Sequence, residues 1–228
     1  HILTVPDTTP GDQSLTRKGS LPRAIREGWQ FVIREPFLRA LATISPLVNA
    51  GYTGIIFVLI IVLNEQGVSP AATGVILSAA GVGGLLGALV TPWLQRHVSA
   101  YLLIISAFSA AAISACAVAL LSTTRIVALP LCLMMLFGPA ANATLGAYQI
   151  AITRDEMQGR VESVIMLLAT SLVPFAPVLG GILVEQVSGH VVLWGFAALL
   201  VTAAGIAAIS RGVRSIPPLA EAARNGSF

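Results

Sequence analysis

The sequence predicts an all-α membrane protein of six transmembrane helices, built as two inverted three-helix repeats. Three observations carry this. Six stretches free of Asp, Glu, Lys and Arg run over 40–64, 66–95, 97–124, 126–153, 163–184 and 186–210. Each holds at least 22 residues, against the roughly 20 helical residues a bilayer core needs. Threading the chain back and forth through six spans puts 12 of the 13 Lys/Arg on one side, which the positive-inside rule assigns to the cytoplasm, with both ends of the segment. An offset of 93 residues then aligns the first three spans with the last three without a gap. Because three is odd, the second unit crosses the membrane in the opposite sense.

Composition agrees. The chain is 56% hydrophobic and only 10% charged, where soluble domains carry roughly 25% charged residues. The net charge of +3 comes from links and tails. It speaks for an anionic lipid surface and against a nucleic-acid partner, since no aromatics interleave with the basic residues. Cys116 and Cys132 fall inside spans three and four and read as free, buried thiols. No metal-ligand spacing occurs, and neither a metal nor another cofactor is expected.

Residues 1–21 are polar, contain Pro, Gly and Ser, and lack the apolar core of a signal peptide. They read as a flexible cytoplasmic linker, and the chain as the C-terminal piece of something longer. Residues 22–36 follow as an amphipathic helix bounded by Pro22 and Pro36. Ile25, Trp29, Val32 and Ile33 share one face, and Arg23, Glu27, Gln30 and Arg34 the opposite one. Such a helix lies in the headgroup region or packs on the cytoplasmic end of its own bundle. The bundle itself occupies 37–210, with spans at 38–63, 73–94, 101–121, 126–149, 163–184 and 191–210, and a cytoplasmic tail follows at 211–228. The connecting links are too short to hold a soluble domain. Arg17, Lys18, Arg23, Arg26, Arg34, Arg39, Arg96, Arg154, Arg160, Arg211, Arg214 and Arg224 sort to one side, and Arg125 to the other.

In the repeat, Pro46, Asn49 and Ala50 fall on Pro139, Asn142 and Ala143; Leu86-Gly87 on Leu179-Gly180; Ser78 on Ser171; and His97 on His190. Every acid lies in a tail or at an interface. No carboxylate is expected near a bilayer midplane, where it would cost roughly 2.5–3.5 kcal/mol and mark a relay. The mid-membrane polar groups are uncharged. Asn49 and Thr53 are four apart on span one with Tyr52 beside them, and Gly138, Asn142, Gly146 and Gln149 share a face of span four. They form either a polar stripe on a cavity or interhelical hydrogen bonds, because an amide in hydrocarbon needs a partner or water. Ala79, Gly83 and Gly87 make a small-residue stripe on span two that invites close helix packing. Pro174 and Pro177 predict a kink in span five. Spans three and six carry little to mark them and are expected to face lipid.

The segments REGWQFVIREPFLRAL with SPLVNAGY at 26–52, GVILSAAGVGGLLGALVTPWLQR at 74–96 and RDEMQGRVESVIMLLATSLVPFAPVLGGILVEQVSG at 154–189 resemble the C-terminal six-helix half of a major facilitator superfamily transporter. They look most like the branch of macrolide-efflux and enterobactin-export proteins. The resemblance implies a second six-helix half upstream in the same polypeptide, a location in the bacterial inner membrane, and a midplane site exposed alternately to each side. It also implies that the first and fourth spans of each half line the cavity, while the second and fifth meet the other half. The family's Gly-x-x-x-Asp-Arg-x-Gly-Arg motif between the second and third helices is met here only by Gly87 and Arg96, with no Asp. The other cytoplasmic loop keeps Gly159-Arg160, with Asp155 and Glu162 as expected ion-pair partners. These six residues are the gate candidates. The cavity candidates are Asn49, Tyr52, Thr53, Phe57, Asn142, Gln149 and Ser171, with Met134 adding apolar surface.

The function this implies is half of a secondary active transporter, performing proton-coupled efflux of an amphipathic, drug- or siderophore-like molecule. Its cavity wall is expected to be neutral, so that any coupling acid lies elsewhere. A six-span permease subunit or a non-transporting scaffold is the alternative. An intramembrane protease is disfavoured, since His97 and His190 lie on opposite sides and no Gly-x-Ser-x-Gly element exists.

Overall fold

The computed structural model describes residues 21–123 and 125–214, without side-chain detail at 21–24 and 125. The linker expected before residue 21, with Arg17 and Lys18, and the tail beyond 214, with Arg224, lie outside the described residues. So do the side chains of Arg23 and Arg125.

Among the described residues, six helical segments are long and apolar enough to cross a membrane. They are preceded by α1 (Leu21–Arg34). Span one is α2 (Pro36–Glu65), span two α3 (Pro70–His97) and span three α4 (Ala100–Leu121). Span four comprises α5 (Ala128–Leu136) and α6 (Gly138–Ile152), after a 3-10 turn at Arg125–Val127. Span five comprises α7 (Asp155–Thr170) and α8 (Phe175–Gln186), and span six is α9 (Gly189–Ile209). A last turn, α10 (Arg211–Arg214), returns to the start of α2, where Gly212 touches the Pro36 backbone.

Starts and breaks follow local chemistry. The side chains of Ser69 and Ser99 accept the Ala72 and Leu102 amides and so cap α3 and α4. Pro36 and Pro70 sit at first helical positions, where a missing N–H costs nothing. Span four breaks at Phe137, just before Gly138-Pro139: proline removes the donor that would bond the carbonyl four back, and glycine is a weak helix former. Its repeat mate Pro46 follows a serine, and α2 runs on unbroken. Span five is interrupted between Thr170 and Phe175. There the amide of Val173 bonds Thr170 O at 3.1 Å and the amide of Ser171 bonds Leu168 O at 3.2 Å, tighter turns than the α pattern.

Span five also begins eight residues earlier than the sequence pattern indicates. The expected loop over 154–162 is helical from Asp155, because Asp155 and Glu156 place negative charge at a helix N-terminus, where the dipole favours it.

The packing obeys the two-fold relation of the repeat. Span one packs on spans five and six as span four packs on spans two and three, and spans three and six meet each other. The expectation that spans three and six merely face lipid is corrected here. Ala107, Ala111, Ala115 and Ala119 on α4 and Ala197, Ala203 and Ala207 on α9 are buried, because their small side chains admit close helix contact. Only the outer faces, with Ile113, Leu120 and Val201, are open. Spans two and five are the least buried of the six. They expose Leu85, Leu89 and Trp93 on one, and Leu167, Phe175 and Leu179 on the other.

The amphipathic helix α1 packs on the bundle along part of its length. Gly28 and Val32 are buried against the bundle, with Gly28 lying against the Arg160 backbone. Ile25, Trp29 and Ile33 remain exposed as an apolar stripe, the pattern of an interfacial helix.

Candidate functional site

Span one is the longest unbroken helix, and one of its faces builds the site. Leu41, Ser45, Val48, Asn49 and Tyr52 recur at three- and four-residue spacing. They form one wall of a cavity of about 250 Å³. Gly138, Ala141, Asn142, Leu145, Gly146 and Gln149 of span four form the facing wall. Ala107 and Phe108 of span three close a third side, and Glu162 of span five closes one end. The repeat mates Asn49 and Asn142 thus line the same space.

Asn49 does more than line the cavity. Its Nδ2 donates to Ala169 O at 3.1 Å. In an unbroken helix that carbonyl would accept the Val173 amide, which the interruption has redirected to Thr170 O. The side chain of Asn49 therefore caps a carbonyl that the break in span five sets free. One turn further, the Tyr52 hydroxyl points at Met134 O with a long 3.4 Å contact, beside the break in span four. One residue face thus serves both readings offered for it, cavity wall and interhelical glue. Asn142 is exposed to the cavity, and Gln149 is 6% exposed, with its amide donating to Glu162 Oε2 at 2.5 Å.

The other cavity candidates stand apart. Thr53 is half-buried and Phe57 packs against Gly180 and Gly181 of span five. Ser171 sits in the interruption of span five, and its hydroxyl donates to Leu168 O at 2.7 Å. Its repeat mate Ser78 makes the matching bond to Val75 O, also at 2.7 Å. Met134 is buried in the core.

Among the gate candidates, the expected pairing of Arg160 with Asp155 or Glu162 is not what forms. Positions 160 and 162 are two apart on one helix and point to different faces, and 155 and 160 diverge similarly. Arg160 instead forms an ion pair with Glu27 of α1. Asp155 accepts a bond from Gln158 at 3.0 Å, and Glu162 turns inward to Gln149. The expectation of a neutral cavity wall is corrected by the same fact. Because the helix extends back through 155–162, Glu162 belongs to a span face rather than to a loop. Arg96 is exposed at the end of α3, and a side chain at Gly159 would meet open space. Gly87 lies ten residues before the end of α3, about 15 Å along its axis.

Gly83 and Gly87 face span four, while Ala79 on the same stripe is half-buried. A methyl group at Gly83 would overlap the Cys132 carbonyl oxygen, and one at Gly87 that of Leu136. Spans two and four thus touch backbone to backbone, just where span four breaks.

Sequence reasoning missed Ser45, Phe108 and the inward turn of Glu162. Ser45 was within reach, since it lies four residues before Asn49 on the same face. Phe108 carries no local signal, because only the placement of span three brings it to the cavity.

The opposite end of the bundle, away from α1, is tied by side chains between its links. Gln66 Nε2 donates to Ser122 O at 3.3 Å, and the His190 ring lies 3.1 Å from Ala119 O and within 3.3 Å of Ser122 Oγ.

A search of curated proteins returned no match to this chain. The family model described as Major Facilitator Superfamily matches residues 1–172.

Proposed function

Starting from the fact that this chain belongs to the major facilitator superfamily, a family of membrane transporters, we propose that it is one half of a secondary active transporter working by alternating access. The cargo is an amphipathic small molecule, moved outward in exchange for protons across a bacterial inner membrane, with both ends of the segment in the cytoplasm. The observation that carries this reading is the cavity between spans one and four, whose lining combines the amides of Asn49, Asn142 and Gln149 with the apolar side chains of Leu41, Val48, Phe108 and Leu145. Polar side chains converging on one concave space beside apolar and aromatic ones are what a small-molecule site needs.

A second six-helix half, upstream in the same polypeptide, would cover spans two and five. The exposure of large apolar side chains on those two spans, together with the backbone contact at Gly83 and Gly87 behind one of them, supports this arrangement. We assign the Arg160–Glu27 pair and Arg96 to the inward gate, because among the described residues the alternation of the spans puts them on the same side as Arg26, Arg34, Arg39, Arg154, Arg211 and Arg214.

The test uses the complete gene product in everted membrane vesicles energised by an imposed proton gradient. Uptake of an amphipathic dye is expected, with collapse on adding a protonophore. Asn142→Leu is expected to cut the rate at unchanged expression. Uptake that ignores the protonophore refutes proton coupling, and no gradient-driven uptake of any amphipathic dye refutes the transporter reading.

A further inference from the structure

The cavity is not electrically neutral, and its one charge sits at a junction. A second cavity of about 270 Å³ is lined by Gln149, Ile150, Thr153, Gln158, Gly159 and Glu162. It shares Gln149 and Glu162 with the first, so the two spaces meet where the Gln149 amide donates to the Glu162 carboxylate. Among the described residues lining either cavity, Glu162 alone is a charged residue, and no Arg, Lys or His is present. The nearest basic side chain on the same helix, Arg160, is turned to another face and held by Glu27. Gln149 supplies a neutral donor only. The carboxylate is thus oriented but not neutralised.

We infer that this cavity selects a monovalent organic cation, with Glu162 as its counter-charge and Gln149 as the group that positions the carboxylate. The inference rests on the reading of the cavity as the cargo site and adds to it the sign of the cargo's charge. The chemistry is that of an ammonium head carrying an apolar or aromatic body. The head meets the carboxylate, which is exposed and therefore attracts it only modestly. The body lies against Leu41, Val48 and Leu145, and the rings of Tyr52 and Phe108 offer faces that also attract cations. An anionic molecule of the same size would meet an uncompensated carboxylate and no basic partner.

The experiment compares two fluorescent probes that differ by one charge. One is a dansyl amide bearing a 2-(trimethylammonio)ethyl arm, the other its 3,3-dimethylbutyl analogue of the same shape. Binding to the complete protein in liposomes is followed by dansyl emission. The cation is expected to bind about five- to tenfold more tightly, since the carboxylate is partly open to water and screened. Glu162→Gln is close in shape, and is expected to erase the preference by weakening the cation's binding towards that of the neutral probe. Glu185→Gln, on span five but outside both cavities, is expected to change neither. A wild-type measurement at rising salt gives a second readout: the preference should shrink as screening grows. Equal affinity for the two probes, or a preference that survives Glu162→Gln, overturns the inference while leaving the cargo site standing. Failure of both probes to bind overturns the cargo site itself, and the inference with it.

Discussion

Asn49 offers the sharpest test of how the site is built. Replacing it with Leu keeps a similar volume but removes the donor that reaches Ala169 O at 3.1 Å. That carbonyl cannot recover its helical partner, because the Val173 amide already bonds Thr170 O at 3.1 Å. Interhelical side-chain bonds within a membrane average about 0.6 kcal/mol and reach about 1.7. Asn49→Leu should therefore weaken the fold roughly 3- to 18-fold in its equilibrium constant, using RT of about 0.59 kcal/mol. In a chain of this size that lowers the melting temperature by about 1–7 °C. Asn142→Leu is the control: the residue is exposed to the same cavity. It should melt within about a degree of the parent, yet lose transport. Thermal melting of the purified protein in detergent, by tryptophan fluorescence, reads the difference. If Asn49→Leu melts like Asn142→Leu, the capping of the broken helix does not stabilise the bundle, and Asn49 is only a cavity residue.

Other perturbations follow from the same contacts. Gly83→Leu or Gly87→Leu pushes a side chain into the Cys132 or Leu136 carbonyl. Either should cost about 3 kcal/mol or more by overpacking, seen as loss of folded protein on size exclusion, while Ala79→Leu on the half-buried part of the stripe should cost less. A double-mutant cycle on Glu27→Gln and Arg160→Gln should return a coupling of only about 0.2–1 kcal/mol, because both side chains are roughly 40% exposed (41% and 36%). Raising salt should shrink that coupling further. Replacing Pro174 and Pro177 together with Ala restores two backbone donors in span five. Hydrogen exchange of residues 168–177 should then slow, and transport should fall if the interruption must flex.

The spans, their number and the repeat were legible because hydrocarbon imposes a coarse and unforgiving rule: charge is excluded over about 20 residues. The paired asparagines were legible because the offset of 93 places one on the other. What escaped depended on direction around a helix axis. Arg160 and Glu162 look like neighbours in sequence, yet their two-residue separation sends one to α1 and the other to the cavity. The start of span five was misplaced because charged residues within 155–162 mark the end of an apolar stretch but not the end of a helix. The burial of spans three and six escaped for a related reason. Alanine is compatible both with lipid and with close packing, so composition alone does not say which face meets a neighbour.

The unbroken course of span one has a mechanical consequence. Its 30 residues make a rod of about 45 Å, packed on one cut rod, span five, and facing another, span four, across the cavity. A cut rod bends most readily at its cut, and both cuts here are reached from the same unbroken helix, span five by the Asn49 bond and span four by the long Tyr52 contact, within one turn of each other. Span one thus acts as a splint across two fractures. Bending of span five at its fracture would load the Asn49 bond, so span one bears on how far that rod can flex.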